Sequence, residues 1–302
     1  MDQIAMGMVA PAFVFFPVWV AQEQGLFAAE GIEVRTVVHG ATDKVTTALA
    51  AGETQIGMVT PEGTIIDALA GGSLRLIAGN ANRAPLSLIV QKGIARIADL
   101  RGKRVGTSSL KEGTAVMVQA ILAAHGLHYP GDYEFAVVGA HPQRWEHLQK
   151  GTIEAGLQLL PLNYVAEDAG FPRLAETSDY VPRYAFTAIG LDETWGQANR
   201  GLVVRLLRAL KAATLWADAN REAAAPILAG ATGTGEGYAL RGLGEMLDGG
   251  VTPRDLRIEP EALEAVFAAM RTTEMVALDA RLSYAAVVDD SYLAEAAIPA
   301  RP

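Results

Sequence analysis

Short apolar runs separated by amphipathic stretches fill the first two thirds of the chain. Ile4 to Val9 is apolar throughout, as a buried strand is, and Ala10–Pro11–Ala12 breaks it. Pro17 then suits a first helical turn, where its missing N–H costs nothing, and Gly25 ends that helix. Ile32 to Val38 sets Ile32 and Val34 against Glu33 and Arg35, a period of two that predicts a strand. Thr42 to Ala51 puts Val45, Ala48 and Leu49 on one helical face and stops at Gly52. Gln55 to Val59 reads as a strand closed by Thr60–Pro61, Glu62 to Ala70 as a helix, and Leu74 to Ala78 as a strand ending in Gly79–Asn80. Strands and helices alternating at this spacing predict parallel strands joined by right-handed crossovers.

Leu86 to Gln91 leads away from this pattern, and a second α/β series starts near Lys103 to Gly106. Thr107–Ser108–Ser109 precede a helix over Thr114 to His125. Strands over Phe135 to Val138 and Ile153 to Leu160 alternate with helices over Pro142 to Lys150 and Leu162 to Ala169. The extended run Ala185 to Leu191 leads back out. The expected fold is therefore α/β with two lobes, each a mixed sheet flanked by helices. Lobe 1 is expected to comprise residues 1–87 and 190–302, and lobe 2, residues 88–189, to be inserted into it. Residues 201–302 read as mainly helical, most clearly at Val203, Leu206, Leu207, Leu210, Ala213 and Ala217.

Composition narrows the function. Half of the 302 residues are apolar, enough for a core in each lobe, and the net charge of -9 argues against non-specific nucleic-acid binding. No run approaches the roughly 18 apolar residues of a membrane span. With no cysteine there is neither a disulfide nor a thiolate metal site. The predicted fold begins almost at Met1, without a basic, apolar leader. An export signal trimmed ahead of Met1 is the expectation, which would place the protein in the periplasm or otherwise outside the cytoplasm; without one it would be cytoplasmic.

Four segments resemble a known family. MGMVAPAFVFFPVWVAQEQGLFAAEGIEV at 6–34, ALAAGETQIGMVTPE at 48–62, IADLRGKRVGTSSLKEGTAV at 97–116 and LQKGTIEAGLQLLP at 148–161 are similar to segments of the type II periplasmic-binding-protein fold. The branch resembled is the nitrate, sulfonate, taurine and thiamine-pyrimidine-precursor group of solute-binding proteins. The resemblance covers residues 4–191 and extends only loosely over the helical tail. It implies two lobes joined by strands near Leu86–Gln91 and Phe186–Leu191, with a hinge that closes on a small molecule. It also implies a monomer that delivers a small organic ligand to the permease of an ABC-type importer. No cofactor and no metal are implied.

Candidate contacts lie where predicted strands end. Pro11, Ala12, Phe13 and Phe16 follow the first strand, and Phe13, ahead of the helix, is expected to face the ligand, whereas Trp19 suits the core. Thr60, Pro61 and Glu62 follow the third strand, where Glu62 could accept from a ligand or simply be an acid that suits the first helical turn, and Asn80 ends the next, where it could also be an ordinary turn residue. Thr107, Ser108, Ser109 and Thr114 surround a helix N-terminus that favours an anion, although Ser and Thr cap helices there in any case. Arg144 suits a carboxylate or sulfonate, with a solvent-exposed guanidinium the equal alternative, and Gln158 lies in the last strand of the series. Glu62 and His39 are the one acid–base pair an enzyme could use; relatives with this fold include decarboxylases and a pyrimidine-forming enzyme that uses a cysteine-rich motif absent here. His141 and His147 read as solvated or capping residues. No H-E-x-x-H or G-x-S-x-G occurs, and GATGTGEG at 230–237 lacks the GK[ST] of a phosphate loop. Binding without turnover is expected ahead of catalysis, with a ligand sensor domain as a third reading.

Overall fold

The computed structural model describes residues 1–110 and 113–297. β1 (Asp2–Met8) passes through a 3-10 turn (Phe13–Phe15) into α1 (Phe16–Glu23) and α2 (Leu26–Ala29). β2 (Ile32–Val38), α3 (Thr42–Ala50), β3 (Ile56–Val59), α4 (Pro61–Leu69) and β4 (Leu74–Ala81) follow. Next come β5 (Leu86–Val90), β6 (Arg104–Thr107), α5 (Gly113–Ala123), β7 (Glu134–Val137), α6 (His141–Gln149), β8 (Ala155–Leu159), α7 (Leu162–Asp168), β9 (Arg173–Glu176) and α8 (Thr177–Tyr180). β10 (Thr187–Asp192) leads into α9 (Glu193–Ala198), α10 (Arg200–Ala219), α11 (Arg221–Thr232), α12 (Glu236–Asp248), α13 (Pro260–Thr272), α14 (Tyr284–Val287) and α15 (Ser291–Glu295).

The chain divides into two compact units. The first comprises Met1–Asn82, Ala185–Phe267 and Arg281–Pro302, the second Arg83–Tyr184 and Ala268–Ala280. The mixed α/β fold with two sheets is as the sequence predicts.

The first unit holds a five-stranded sheet in the order β2-β1-β3-β10-β4. β1 runs parallel to β2 and β3, and β10 runs antiparallel to β3 and β4. Ile4, Met6, Met8, Ile56 and Met58 of the parallel strands are buried. α10 covers its 3.6-residue stripe of Val203, Leu206, Leu207 and Leu210, and packs against α1. Each such aliphatic side chain removed from water contributes about 1.5–3 kcal/mol, so this stripe is what fixes the helix.

The second unit repeats the pattern with the order β7-β6-β8-β5-β9. β6 is parallel to β7 and β8, and β5 is antiparallel to β8 and β9. Ile89, Trp145, Leu148, Ile153, Ala166 and Phe171 form a core cluster, with Trp145 meeting Phe171 edge to face at 4.9 Å between ring centres. In each sheet the fourth strand is the antiparallel one. β10 takes that place in the first sheet and β5 in the second, so both runs read as leading between lobes are internal strands of a sheet. β9, which shows no clear alternation in the sequence, is the edge strand beside β5.

Candidate functional site

Because β1, β2 and β3 run parallel, their carboxyl ends share one edge of the first sheet, and the loops that follow gather there. The residues after β1 are half-buried or exposed as far as Ala12, and the chain then turns inward. Phe13 and Phe16 are buried, and the Phe13 ring lies on α12: a Cβ built on Gly242 would stand 3.0 Å from its edge. The ring expected to face a ligand therefore packs into the core of its own unit. Pro11 and Ala12 are the side chains this loop leaves at the sheet edge. Trp19 donates its indole N–H to the Ala12 carbonyl at 3.2 Å.

Asn80 is not a turn residue at a strand end. β4 continues through it, it is buried, and its amide donates to the Val14 carbonyl at 2.9 Å and to Thr187 Oγ1 at 2.8 Å. Thr60 is the N-cap residue of α4, Pro61 takes the first helical position, and Glu62 is half-buried in the first turn, where a carboxylate suits the helix dipole. His39 follows β2, donating its backbone N–H to the Met8 carbonyl at 2.9 Å. Its ring turns back over Gly7 of β1, with Nε2 buried.

In the second unit β6, β7 and β8 likewise send their carboxyl ends to one edge. Thr107 ends β6, is buried, and donates its hydroxyl to the Ser109 carbonyl at 3.1 Å. Ser108 and Thr114 hydroxyls lie 3.4 Å apart at the start of α5. The β7 end leads through Gly139 and Ala140 into α6. His141 and Pro142 take the first helical positions there, the sequence order expected at a helix start. Arg144 is buried, its stem lying over Gly156 of β8. Gln158 is fully buried and ties β8 to α6, donating to the His141 carbonyl at 2.9 Å and accepting from the Trp145 N–H at 3.3 Å. Desolvation, with the Arg144 cation beside it, pushes the His141 pKa down to about 4. His141 is thus a neutral, half-buried member of this edge rather than the solvated residue its loop position suggests.

Tyr184 also belongs here, and the sequence carries no local sign of it. Its buried hydroxyl stands over Gly113 in the first turn of α5, a contact between residues far apart in the chain. Among the described residues no group of three His, Asp or Glu side chains is placed to hold a metal ion, and no helix is long and apolar enough to cross a membrane.

The sequence profile described as NMT1/THI5 like matches residues 12–224. The chain belongs to the NMT1/THI5-like family. No curated protein sequence matches it. Solved structures share its fold at low identity. The ligand-binding component of an ABC-type import system from Staphylococcus aureus, with zinc bound, superposes with a TM-score of 0.81 at 13% identity, over 98% of this chain and 99% of that one. The alkanesulfonate-binding protein SsuA from Xanthomonas axonopodis pv. citri, bound to MOPS, gives 0.71 at 17% identity over 98% of each chain. A mutant of DSZB in complex with biphenyl-2-sulfinic acid gives 0.72 at 17% identity, again over 98% of each; DSZB is a desulfurization enzyme. The family and the type II periplasmic-binding-protein fold are as the four sequence segments imply.

Proposed function

We propose that this protein is the solute-binding component of an ABC-type importer. It captures a small organic molecule and hands it to a membrane permease outside the cytoplasm. The observation that carries the reading is the repetition, in each unit, of three parallel strands whose carboxyl ends open into helix N-termini. Thr60, Thr107, Ser108, Ser109 and Thr114 border these ends with hydroxyl groups, which orient and hydrogen-bond a solute but do little proton chemistry unaided. Such an edge favours a carboxylate, sulfonate or sulfinate, or a heteroaromatic ring rich in acceptors. Neighbours of the same fold that bind an alkanesulfonate, or form a complex with a sulfinic acid, support that class.

A thermal-shift screen tests it. Organic sulfonates, sulfinates, carboxylates and pyrimidines are compared with inorganic anions and divalent metals. A ligand at a hundredfold excess over its dissociation constant adds about 2.7 kcal/mol of stability. Shifts confined to inorganic ions would reject the proposed ligand class. Hinge closure on ligand should lower the radius of gyration in small-angle scattering.

An enzymatic reading stays open on one observation: DSZB puts desulfurization on this fold. Glu62 and His39 are the residues it would use. Incubating an identified ligand with stoichiometric protein and recovering it altered, with the change lost in Glu62→Gln or His39→Ala, would establish catalysis.

A further inference from the structure

We infer that Asn80 is a positioning residue for the ligand loop of the first unit, acting with Trp19 and Gly242 to hold Ala12–Val14 rigid. The inference rests on the solute-binding reading for the role of that loop, but its structural content is independent of it. Two side chains, Trp19 and Asn80, and the bare backbone of Gly242 converge on three consecutive residues. Trp19 Nε1–H donates to the Ala12 carbonyl, and Asn80 Nδ2–H donates to the Val14 carbonyl. Between them, the Phe13 ring seats against Gly242 of α12, where any larger residue would press on the ring at 3.0–3.1 Å.

Asn80 does this from inside β4, and the same amide reaches Thr187 on β10. The loop is therefore fastened to the two strands at the far side of the sheet as well as to β1, from which it emerges. The buried amide has the right chemistry for the task. Its Nδ2 group donates to two oxygens, and each is itself fixed, one by the 3-10 turn and one by a strand. A loop held at both ends and in the middle has little conformational freedom left to lose when a ligand arrives, which is the general route by which preorganisation raises affinity. The C-terminal helical region takes part through Gly242: it provides a seat for the loop and does not merely fill out the fold.

The test compares Asn80→Ala, Thr187→Val and Gly242→Ala in the full chain. Thr187→Val removes the other partner of the Asn80 amide and leaves the Val14 bond intact, so it controls for loss of buried polar contact. Gly242→Ala favours helix formation in α12, so folding should survive while Phe13 is displaced. The first readout is amide hydrogen exchange over the peptide spanning 10–16. Asn80→Ala and Gly242→Ala should speed exchange there by roughly tenfold, with β1 and β10 unchanged, and Thr187→Val should not. The second is binding of MOPS. If wild type binds it, Asn80→Ala and Gly242→Ala should weaken binding by at least about fivefold and Thr187→Val should have little effect. Exchange over 10–16 that is unchanged in both loop variants, or that rises equally in Thr187→Val, overturns the positioning role. If Asn80→Ala fails to fold, Gly242→Ala alone decides. Localised exchange with no binding of any organic probe would reject the solute-binding reading and leave the positioning role standing.

Discussion

The hydroxyl of Tyr184 occupies the space a side chain at Gly113 would need. A Cβ built on Gly113 falls against that oxygen and 2.8 Å from the ring carbon carrying it. The first turn of α5 can therefore lie where it does only with glycine at this position. Gly113→Ala should lower stability by about 1–3 kcal/mol through overpacking. Placed in a Tyr184→Ala background, the same change should cost far less, because the obstruction is gone. Denaturant midpoints of the two single variants and the double variant measure this; additive losses would mean that the two residues do not compete for space.

His141 makes stability depend on pH in a definite direction. Its folded pKa of about 4 lies below the ordinary 6.5. Above 6.5 the ring is neutral in both folded and unfolded chains and contributes nothing. As pH falls from 6.5 towards about 4, the unfolded chain takes up a proton that the folded chain refuses, so stability falls, and below about 4 the loss is complete. The full loss is at most roughly 3 kcal/mol. His141→Gln should flatten the pH dependence of the urea midpoint across this window relative to wild type. Identical slopes for the two proteins would rule out a half-buried, neutral His141.

Asn82 is buried at the end of the first segment of unit one, and its backbone N–H donates to the Val251 carbonyl at 2.8 Å. Its side-chain amide donates to the Arg257 carbonyl at 2.8 Å and accepts from the Glu259 N–H at 3.3 Å. These bonds hold a segment in which Leu256 adopts a left-handed φ of 60°. Asn82→Ala should cost about 1–3 kcal/mol and make residues 251–259 the first site cut by a non-specific protease. A normal cleavage pattern would show that the segment is held by packing alone.

Asp218 accepts from Arg254 Nε at 2.5 Å and from Arg221 at 2.6 Å, and the two guanidinium groups hold its carboxyl below the usual carboxylate range, Arg254 most of all. Arg221 also pairs with Asp248. The network lies near the surface, so Asp218→Asn should lower stability by about 1 kcal/mol, and by less at high salt. A loss that is insensitive to salt would point to packing instead of charge.

What the sequence determined by itself was local, or was repeated along it. The stripe of Val203, Leu206, Leu207 and Leu210 fixes a helix because burial recurs every 3.6 residues whatever the partner, and α10 follows it. Pro17, Pro61 and Pro142 mark helix starts because a missing N–H is harmless only in a first turn. Alternating strands and helices required parallel pairing, and so gathered the loops after β1, β2, β3, β6, β7 and β8 at strand carboxyl ends, three in each unit. The tertiary structure alone decided what each side chain there does. Nothing around Asn80 says that β4 runs on through it or that its amide reaches Val14 and Thr187, since both partners come from other elements. Phe13 stands ahead of a helix in a loop, and only the glycine on α12 opens the place into which its ring is buried. Tyr184 and Gly113, and His141 with Arg144, owe their properties to contacts and desolvation that exist once the sheets have formed. A periodic pattern records which face of an element is buried, but not which distant group waits on the other side.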